Sequence, residues 1–163
     1  MKSKFMDKFM VTFTNLGSLL FVCSFTLALI AFGDEKVRKA GIELAVTLIL
    51  SQGITYTLKI LLGRERPYNV LKDINTYNII LKDYSFPSGH TSASFSIATI
   101  IAFNLSRLAI LALLGALIVG ISRVYLAVHY PTDVLAGMVI GIGSAILIHL
   151  YVMEFLRELF VFF

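Results

Sequence analysis

LAILALLGALIVGISRVYLAVHYPTDVLAGMVIGIGSAILIHLYVM, residues 108–153, is two apolar runs separated by one short polar interval. The first, Leu108–Val128, and the second, Val134–Met153, each hold about the 20 residues that a helix needs to cross a hydrocarbon core. Working outward, three more runs come close: Ser88–Phe103, Ala40–Leu62 and Val11–Phe32. As a helix, Ser88–Phe103 would be roughly 24 Å long. That suffices if its start lies below the interface, covered by protein and not by lipid. The pattern predicts an all-α bundle of five transmembrane helices forming one membrane-embedded domain over residues 1–163, with no repeat and no soluble unit.

Composition agrees. The chain is 58% apolar and only 15% charged, against about half and a quarter in soluble domains. There are 14 Lys and Arg against 10 Asp and Glu. The basic residues sit between apolar runs instead of along one polar face, which argues against nucleic acid and for a membrane protein with an anionic substrate. The single cysteine, Cys23, lies within an apolar run and reads as packing; a disulfide framework and a thiolate metal site are excluded. Lys2, Lys4 and Lys8 precede the first run, as in a signal peptide. However, Val11–Phe32 is longer than a signal core and lacks a small-residue cleavage site, so it reads as a retained helix.

The connectors divide by length. Gly33–Lys39 and Asn104–Arg107 read as tight turns, whereas Gly63–Pro87 and His129–Asp133 are longer and polar. Counting helices puts both longer stretches on one membrane face. The tail Glu154–Phe163 reads as an amphipathic interfacial end. Lys36, Arg38, Lys39, Arg107 and Arg157 fall on the tight-turn face and the remaining nine basic residues on the other. With Lys59, Arg66 and Arg123 reserved as ligands, that balance does not orient the chain by the positive-inside rule. Glu43 is expected to pair with the basic turn, and His149, a lone histidine near the far end, to have no catalytic part. Gly137, Gly141, Gly143 and Ala145 read as close helix packing.

Three motifs stand at the helix boundaries of the polar face. The first is Lys59-Ile-Leu-Leu-Gly-Arg-Glu-Arg66-Pro67. Gln52, Tyr56, Lys59 and Gly63 share one helix face, a polar stripe that should point into the bundle. An ionisable residue at membrane depth is costly and marks function, although Lys59 alone could simply snorkel to the interface. Pro67 disfavours helical geometry at Arg66, which lets Arg66 turn back towards Lys59. The second motif is Phe86-Pro-Ser88-Gly89-His90-Thr91. Ser88 suits an N-cap, Gly89 allows close approach to the backbone, and a helix N-terminus offers free N–H groups to an anion. The third is Ser122-Arg123-Val-Tyr-Leu-Ala-Val-His129-Tyr-Pro131-Thr-Asp133. Pro131 fits the first turn of a helix, with His129 at its entrance and Asp133 four residues on, within reach of the imidazole. A carboxylate there fixes the tautomer and stabilises the cation that forms; it also suits a helix dipole.

Two histidines, three cations, a helix N-terminus and an orienting carboxylate make a phosphate site. Phosphoryl transfer needs the equatorial oxygens neutralised and the reacting groups in line. Lys59, Arg66 and Arg123 supply charge, Ser88 and the Gly89 N–H directional bonds. The polar face lacks the carboxylate cluster of a magnesium or two-metal site, so the expected chemistry uses no metal and no cofactor.

Lys-x6-Arg-Pro, Pro-Ser-Gly-His and Ser-Arg-x5-His-x3-Asp, in this order, resemble the three-part signature of the type 2 phosphatidic acid phosphatase superfamily. The motifs run from Lys59 to Asp133, and the helical pattern extends the resemblance over most of the chain. It implies a phosphohistidine intermediate. His129 would attack phosphorus, Asp133 would orient it and His90 would protonate the leaving group. Lys59, Arg66, Ser88, Gly89 and Arg123 would bind the phosphate. Membrane members commonly have six helices; here the absent one would be the first, leaving Met1–Met10 as an interfacial stub. The resemblance also implies an active face outside the cytoplasm.

The expected substrate is a lipid ending in a phosphate or diphosphate. For so small a chain the resemblance favours undecaprenyl diphosphate, with phosphatidylglycerophosphate, phosphatidate and the 1-phosphate of lipid A as competitors. The expected partners are that lipid and the bilayer, with no nucleic acid and no obligatory protein partner. Tyr68–Phe86 should shape the head-group entrance, and its Lys72–Asp73 and Lys82–Asp83 neighbours cancel in charge. Arg64 fills a variable slot, where a secondary ligand role is open. Two other classes compete. The family's soluble vanadate-dependent haloperoxidases hold vanadate in a similar constellation, but five apolar spans argue against that. A lipid transporter or binding scaffold also lines its path with charge, yet has no need for two histidines and an aspartate.

Overall fold

The computed structural model describes residues 3–71, 77, 79 and 81–153. The expected tail Glu154–Phe163, with Arg157, lies outside them, as do Met1, Lys2, Lys72 and Asp73. Among the described residues the chain is helical, without strands.

The first expected helix is two. α1 (Lys4–Thr14) and α2 (Leu19–Phe32) meet at an angle of 53° across a 3-10 turn, Asn15–Gly17. Ser18 adopts an extended conformation, and its hydroxyl caps α2 by accepting from the Phe21 N–H. Asn, Gly and Ser are turn chemistry inside an apolar stretch, and here the turn wins. α1 covers most of the expected stub Met1–Met10 and carries it as helix.

α3 (Glu35–Leu62) begins earlier than expected. The turn is only Gly33-Asp34: the Asp34 carboxylate accepts from the Val37 N–H at 2.8 Å and starts the helix, so Glu35 to Lys39 are already helical. A capping aspartate supplies an acceptor for an orphan N–H. At the other end Gly63 takes a left-handed conformation (φ 54°), and its N–H bonds to the Lys59 carbonyl. Glycine ends helices in this way because it has no Cβ to clash. A single short turn, α4 (Pro67–Val70), follows.

α5 (Gly89–Asn104) is the centre of the bundle, packed against α3, α6 (Ala109–Tyr125) and α7 (Pro131–Leu147). Its small residues permit the approach. A Cβ on Gly137 of α7 would come 2.5 Å from the Ser88 carbonyl, and one on Gly141 would collide with the Ser92 carbonyl. These two glycines and the fully buried Ala145 pack as expected. Gly143 faces open space instead. A π-helical turn, Ile148–Val152, continues α7.

Among the described residues three stretches are long and apolar enough to cross a membrane: Glu35–Val70, Ser106–Tyr125 and Pro131–Val152; the bent pair α1–α2 makes a fourth if counted as one. At 16 residues α5 falls short of that length, so among the described residues the expected count of five is not confirmed. Leu20, Phe32, Ile49, Ile110 and Leu111 face outward, while α5 is largely buried. An apolar exterior around a helical interior fits lipid, where every backbone group must be satisfied within the helix.

Glu43 is buried and does not pair with the basic turn. Its carboxylate meets His149 Nδ1 at 2.6 Å and accepts from Asn104 Nδ2 at 2.9 Å. His149 stacks on Phe103. A buried charge needs partners at hand, and the turn's lysines extend outward.

Candidate active site

The bundle brings the three motifs to one end. Lys59 sits in the last turn of α3, and the left-handed Gly63 reverses the chain behind it. Arg66 is extended (φ −76°, ψ 151°), as a residue before proline prefers. Its guanidinium, 1% exposed, donates to the carbonyls of Asp83, Tyr84 and Val128 at 2.8, 3.2 and 2.8 Å. Asp83 ties the two cations together: one carboxylate oxygen accepts from Lys59, the other from Arg66 Nη2 at 2.6 Å. Partial burial pushes the Asp83 carboxyl up, but the Lys59 hydrogen bond and the charges of Lys59 and Arg66 outweigh it and hold the group down at about 2.

Ser88 caps α5, its hydroxyl accepting from the N–H and the hydroxyl of Thr91 at 3.4 and 2.9 Å. Its own N–H bonds to the Asp133 carbonyl at 3.0 Å, which fastens the start of α5 to the start of α7. A Cβ on Gly89 would stand 3.3 Å from the Gln52 side chain, so glycine keeps α3 close. His90 follows, and among the described residues no protein group hydrogen-bonds to its ring. It is free to act on a ligand.

Arg123, 2% exposed, ends α6. Its Nη1 donates to Thr14 at 2.8 Å, while its buried Nε has no acceptor among the described residues. The Arg123 carbonyl accepts from the N–H groups of Val128 and His129, and Ala127 between them is left-handed (φ 55°). This tight hook drops His129 beside Arg66, whose Nη1 stands 3.3 Å from His129 Nε2. Asp133 Oδ2 lies 3.5 Å from His129 Nδ1, long for a hydrogen bond, as resting catalytic contacts often are. With the Nδ1 proton facing Asp133, Nε2 carries the lone pair. Burial lowers the His129 pKa to about 4, helped by Arg123, Arg66 and Lys59 and opposed by Asp133. The ring is therefore neutral, and nucleophilic, at neutral pH.

Asp133 is itself held. Its Oδ1 accepts from Arg64 Nη1 at 2.7 Å and its Oδ2 from the Tyr130 N–H at 2.9 Å, while Arg64 lies 4.0 Å over the Tyr130 ring. Arg64 thus holds the carboxylate that stands behind His129. Arg64→Gln should lower kcat roughly tenfold, the scale of one charged hydrogen bond, with KM little changed. Steady-state kinetics on a lipid phosphate check this, and a change in KM alone would make Arg64 a substrate ligand instead.

A cavity of about 510 Å³ joins these groups. Lys59, Arg66, Asp83, Gly89, His90, Arg123 and His129 line one end; Leu19, Val22, Leu48 and Ile49 line the other. Asp133 stands behind His129. Of the expected set, Ser88 alone among the phosphate ligands does not line the cavity: it is fully buried, and its hydroxyl oxygen caps α5. Cys23, expected as packing, is exposed and lines the apolar end. Asp83 and Thr14 are the residues that the motifs missed, while Arg64, whose role the first motif left open, bonds to Asp133. Among the described residues no three of His, Cys, Asp and Glu converge as metal ligands.

The arrangement has relatives. An undecaprenyl-diphosphatase of Sulfolobus acidocaldarius is 32% identical over 108 residues, which is 66% of this chain and 52% of that protein. This chain thus spans about half the length of that relative. The crystal structure of Aquifex aeolicus LpxE superposes with a TM-score of 0.82 at 31% identity, covering 92% of this chain and 88% of that one. A transmembrane PAP2-type phosphatidylglycerolphosphate phosphatase from Bacillus subtilis does so with a TM-score of 0.80 at 26% identity, covering 94% and 80%. Residues 40–157 match the PAP2 superfamily model, a stretch that holds all three motifs, and the chain belongs to that superfamily.

Proposed function

We propose that the protein is a metal-independent lipid phosphatase that removes a terminal phosphate through a phosphohistidine on His129, with undecaprenyl diphosphate as its substrate. One observation carries this reading: a neutral, aspartate-backed histidine and a second, unengaged histidine face three cations in a cavity whose far end is apolar. Such a cavity suits a molecule with a phosphate head and a hydrocarbon body. The name of the archaeal relative supports the choice of lipid.

In the first step the Nε2 lone pair of His129 forms a bond to phosphorus and the bond from phosphorus to the leaving oxygen breaks. The electron pair leaves with that oxygen, which takes a proton from His90. The arriving phosphate supplies the negative charge that lets His90 hold this proton beside Lys59, Arg66 and Arg123. In the second step His90 takes a proton from water, the water oxygen attacks phosphorus, and the electron pair of the P–N bond returns to His129. Asp133 stabilises the ring while it is cationic.

The test is phosphate release by purified protein from a panel: undecaprenyl diphosphate, phosphatidylglycerophosphate, phosphatidate and lipid A 1-phosphate. Preference for another member replaces the named substrate; turnover of none overturns the reading. Activity should also survive exhaustive EDTA treatment and be lost to vanadate, which mimics the five-coordinate phosphorus. Enzyme killed by chelation and revived by magnesium would falsify the metal-free mechanism. With this substrate goes an active face on the extracytoplasmic side. A Glu65→Cys probe in a Cys23→Ser background should then react with an impermeant maleimide on intact cells; protection until lysis reverses the orientation.

A further inference from the structure

Arg66 has five N–H groups, and each meets a protein acceptor. Three go to the backbone carbonyls of Asp83, Tyr84 and Val128. The fourth goes to the Asp83 carboxylate at 2.6 Å, and the fifth points at the attacking atom of His129 from 3.3 Å. A phosphate oxygen gains Arg66 only by replacing one of the last two, and His129 must itself face phosphorus. Lys59 is engaged by the same carboxylate. Asp83 thus offers its two oxygens to two phosphate-binding cations as a phosphate would.

We infer that Asp83 is an internal competitor for the phosphate site, displaced when a terminal phosphate binds and returning as inorganic phosphate leaves. The inference rests on the reading of this cavity as a phosphate site. Its mechanics are local. The Asp83 side chain is 54% exposed and lines the cavity, so it has water to swing into. The backbone around it is pinned: the Asp83 carbonyl to Arg66, the Ser85 N–H to the Arg64 carbonyl at 2.8 Å and the Ser85 hydroxyl to the Glu65 carbonyl at 3.1 Å. Displacement therefore needs a rotamer change and no loop opening. The carboxylate stays ionised down to strongly acidic pH, since its pKa is about 2.

The device answers a real difficulty. Three cations withdrawn from water in one cavity would hold inorganic phosphate tightly, and product release often limits turnover. A tethered anion acts at high effective concentration and weakens every bound anion by the same factor. A terminal phosphate, with a charge of about −1.5 to −2, overcomes it. Monoanionic diester head groups, which fill the surrounding membrane, pay the same displacement cost with less charge and leave the site open.

The experiment compares wild type, Asp83→Asn and Asp83→Ser for inhibition of undecaprenyl diphosphate turnover by added inorganic phosphate. Both variants should lower the inhibition constant by about tenfold or more, the scale of one charged hydrogen-bonding competitor, and should lower KM with it. Glu65→Gln, which removes an exposed carboxylate without an ion pair, controls for the general field and should stay within about twofold. A raised or unchanged constant in the Asp83 variants overturns the inference and makes Asp83 a clamp that positions the cations. An equal drop in Glu65→Gln overturns it as well. If wild type neither turns over the lipid nor responds to phosphate, the phosphatase reading falls first, and this inference with it.

Discussion

His129→Ala should leave no measurable turnover of any lipid phosphate, whereas Asp133→Asn should retain a small residue. The nucleophile has no substitute: no second described group lines the cavity with a free lone pair backed by a buried carboxylate. Removing it should cost at least about four orders of magnitude, the loss seen on disabling a comparable triad. Asparagine in place of Asp133 can still accept from the Tyr130 N–H and so hold the start of α7. It would also leave Arg64 without its charged partner, so the residue of activity should be slight. Rates over a range of enzyme concentrations, with acid-labile phosphate on the protein as a second readout, decide the point. Near-normal turnover by His129→Ala would remove the phosphohistidine from the scheme altogether.

His90→Ala should be crippled on a lipid monophosphate yet keep more of its rate on p-nitrophenyl phosphate. His90 lines the cavity at the second residue of α5 and, among the described residues, spends its ring on no hydrogen-bond partner, as a proton donor to substrate requires. General-acid help contributes roughly 10²–10⁴-fold, and it matters most for a poor leaving group. A lipid alkoxide needs the proton; p-nitrophenolate leaves with little assistance. Initial rates of both histidine variants on both substrates test the distinction, and burst kinetics show whether phosphohistidine formation limits the rate. Equal fractional losses without a burst would mean that His90 binds phosphate and donates nothing.

The sequence showed the residues that meet at the candidate site more clearly than the packing around them. His129, Asp133, His90, Arg66 and Arg123 were readable because each sits where a helix begins or ends, and short spacings predict such places well. Ser88 was read correctly as a cap, its hydroxyl oxygen accepting from Thr91 at the start of α5. Asp83 was invisible because Lys82 beside it seemed to cancel its charge. Its partners lie 24 and 17 residues back, and nothing local announces such a pairing. The same holds for Glu43 and His149, 106 residues apart. The break at Asn15–Ser18 was hidden by the apolar runs on either side, which outweighed three turn-forming residues. Helix count suffered for a related reason: a central helix walled by protein need not span a bilayer, and hydropathy alone does not say which helix is central.

The bend between α1 and α2 reaches further than topology. It presses Gly17 against His90 and Val119, so that a Cβ there would come within 2.9 Å of each, and it sets Thr14 under the Arg123 guanidinium. Both residues lie before residue 40, where the superfamily match begins. Thr14 and Gly17 therefore form part of the wall behind Arg123 and His90, the arginine proposed to hold phosphate and the proposed acid. Substitutions at Thr14 or Gly17 should therefore disturb Arg123 or His90 while all three motifs stay intact. The N-terminal pair of helices is thus built into the wall of the site and is more than an anchor.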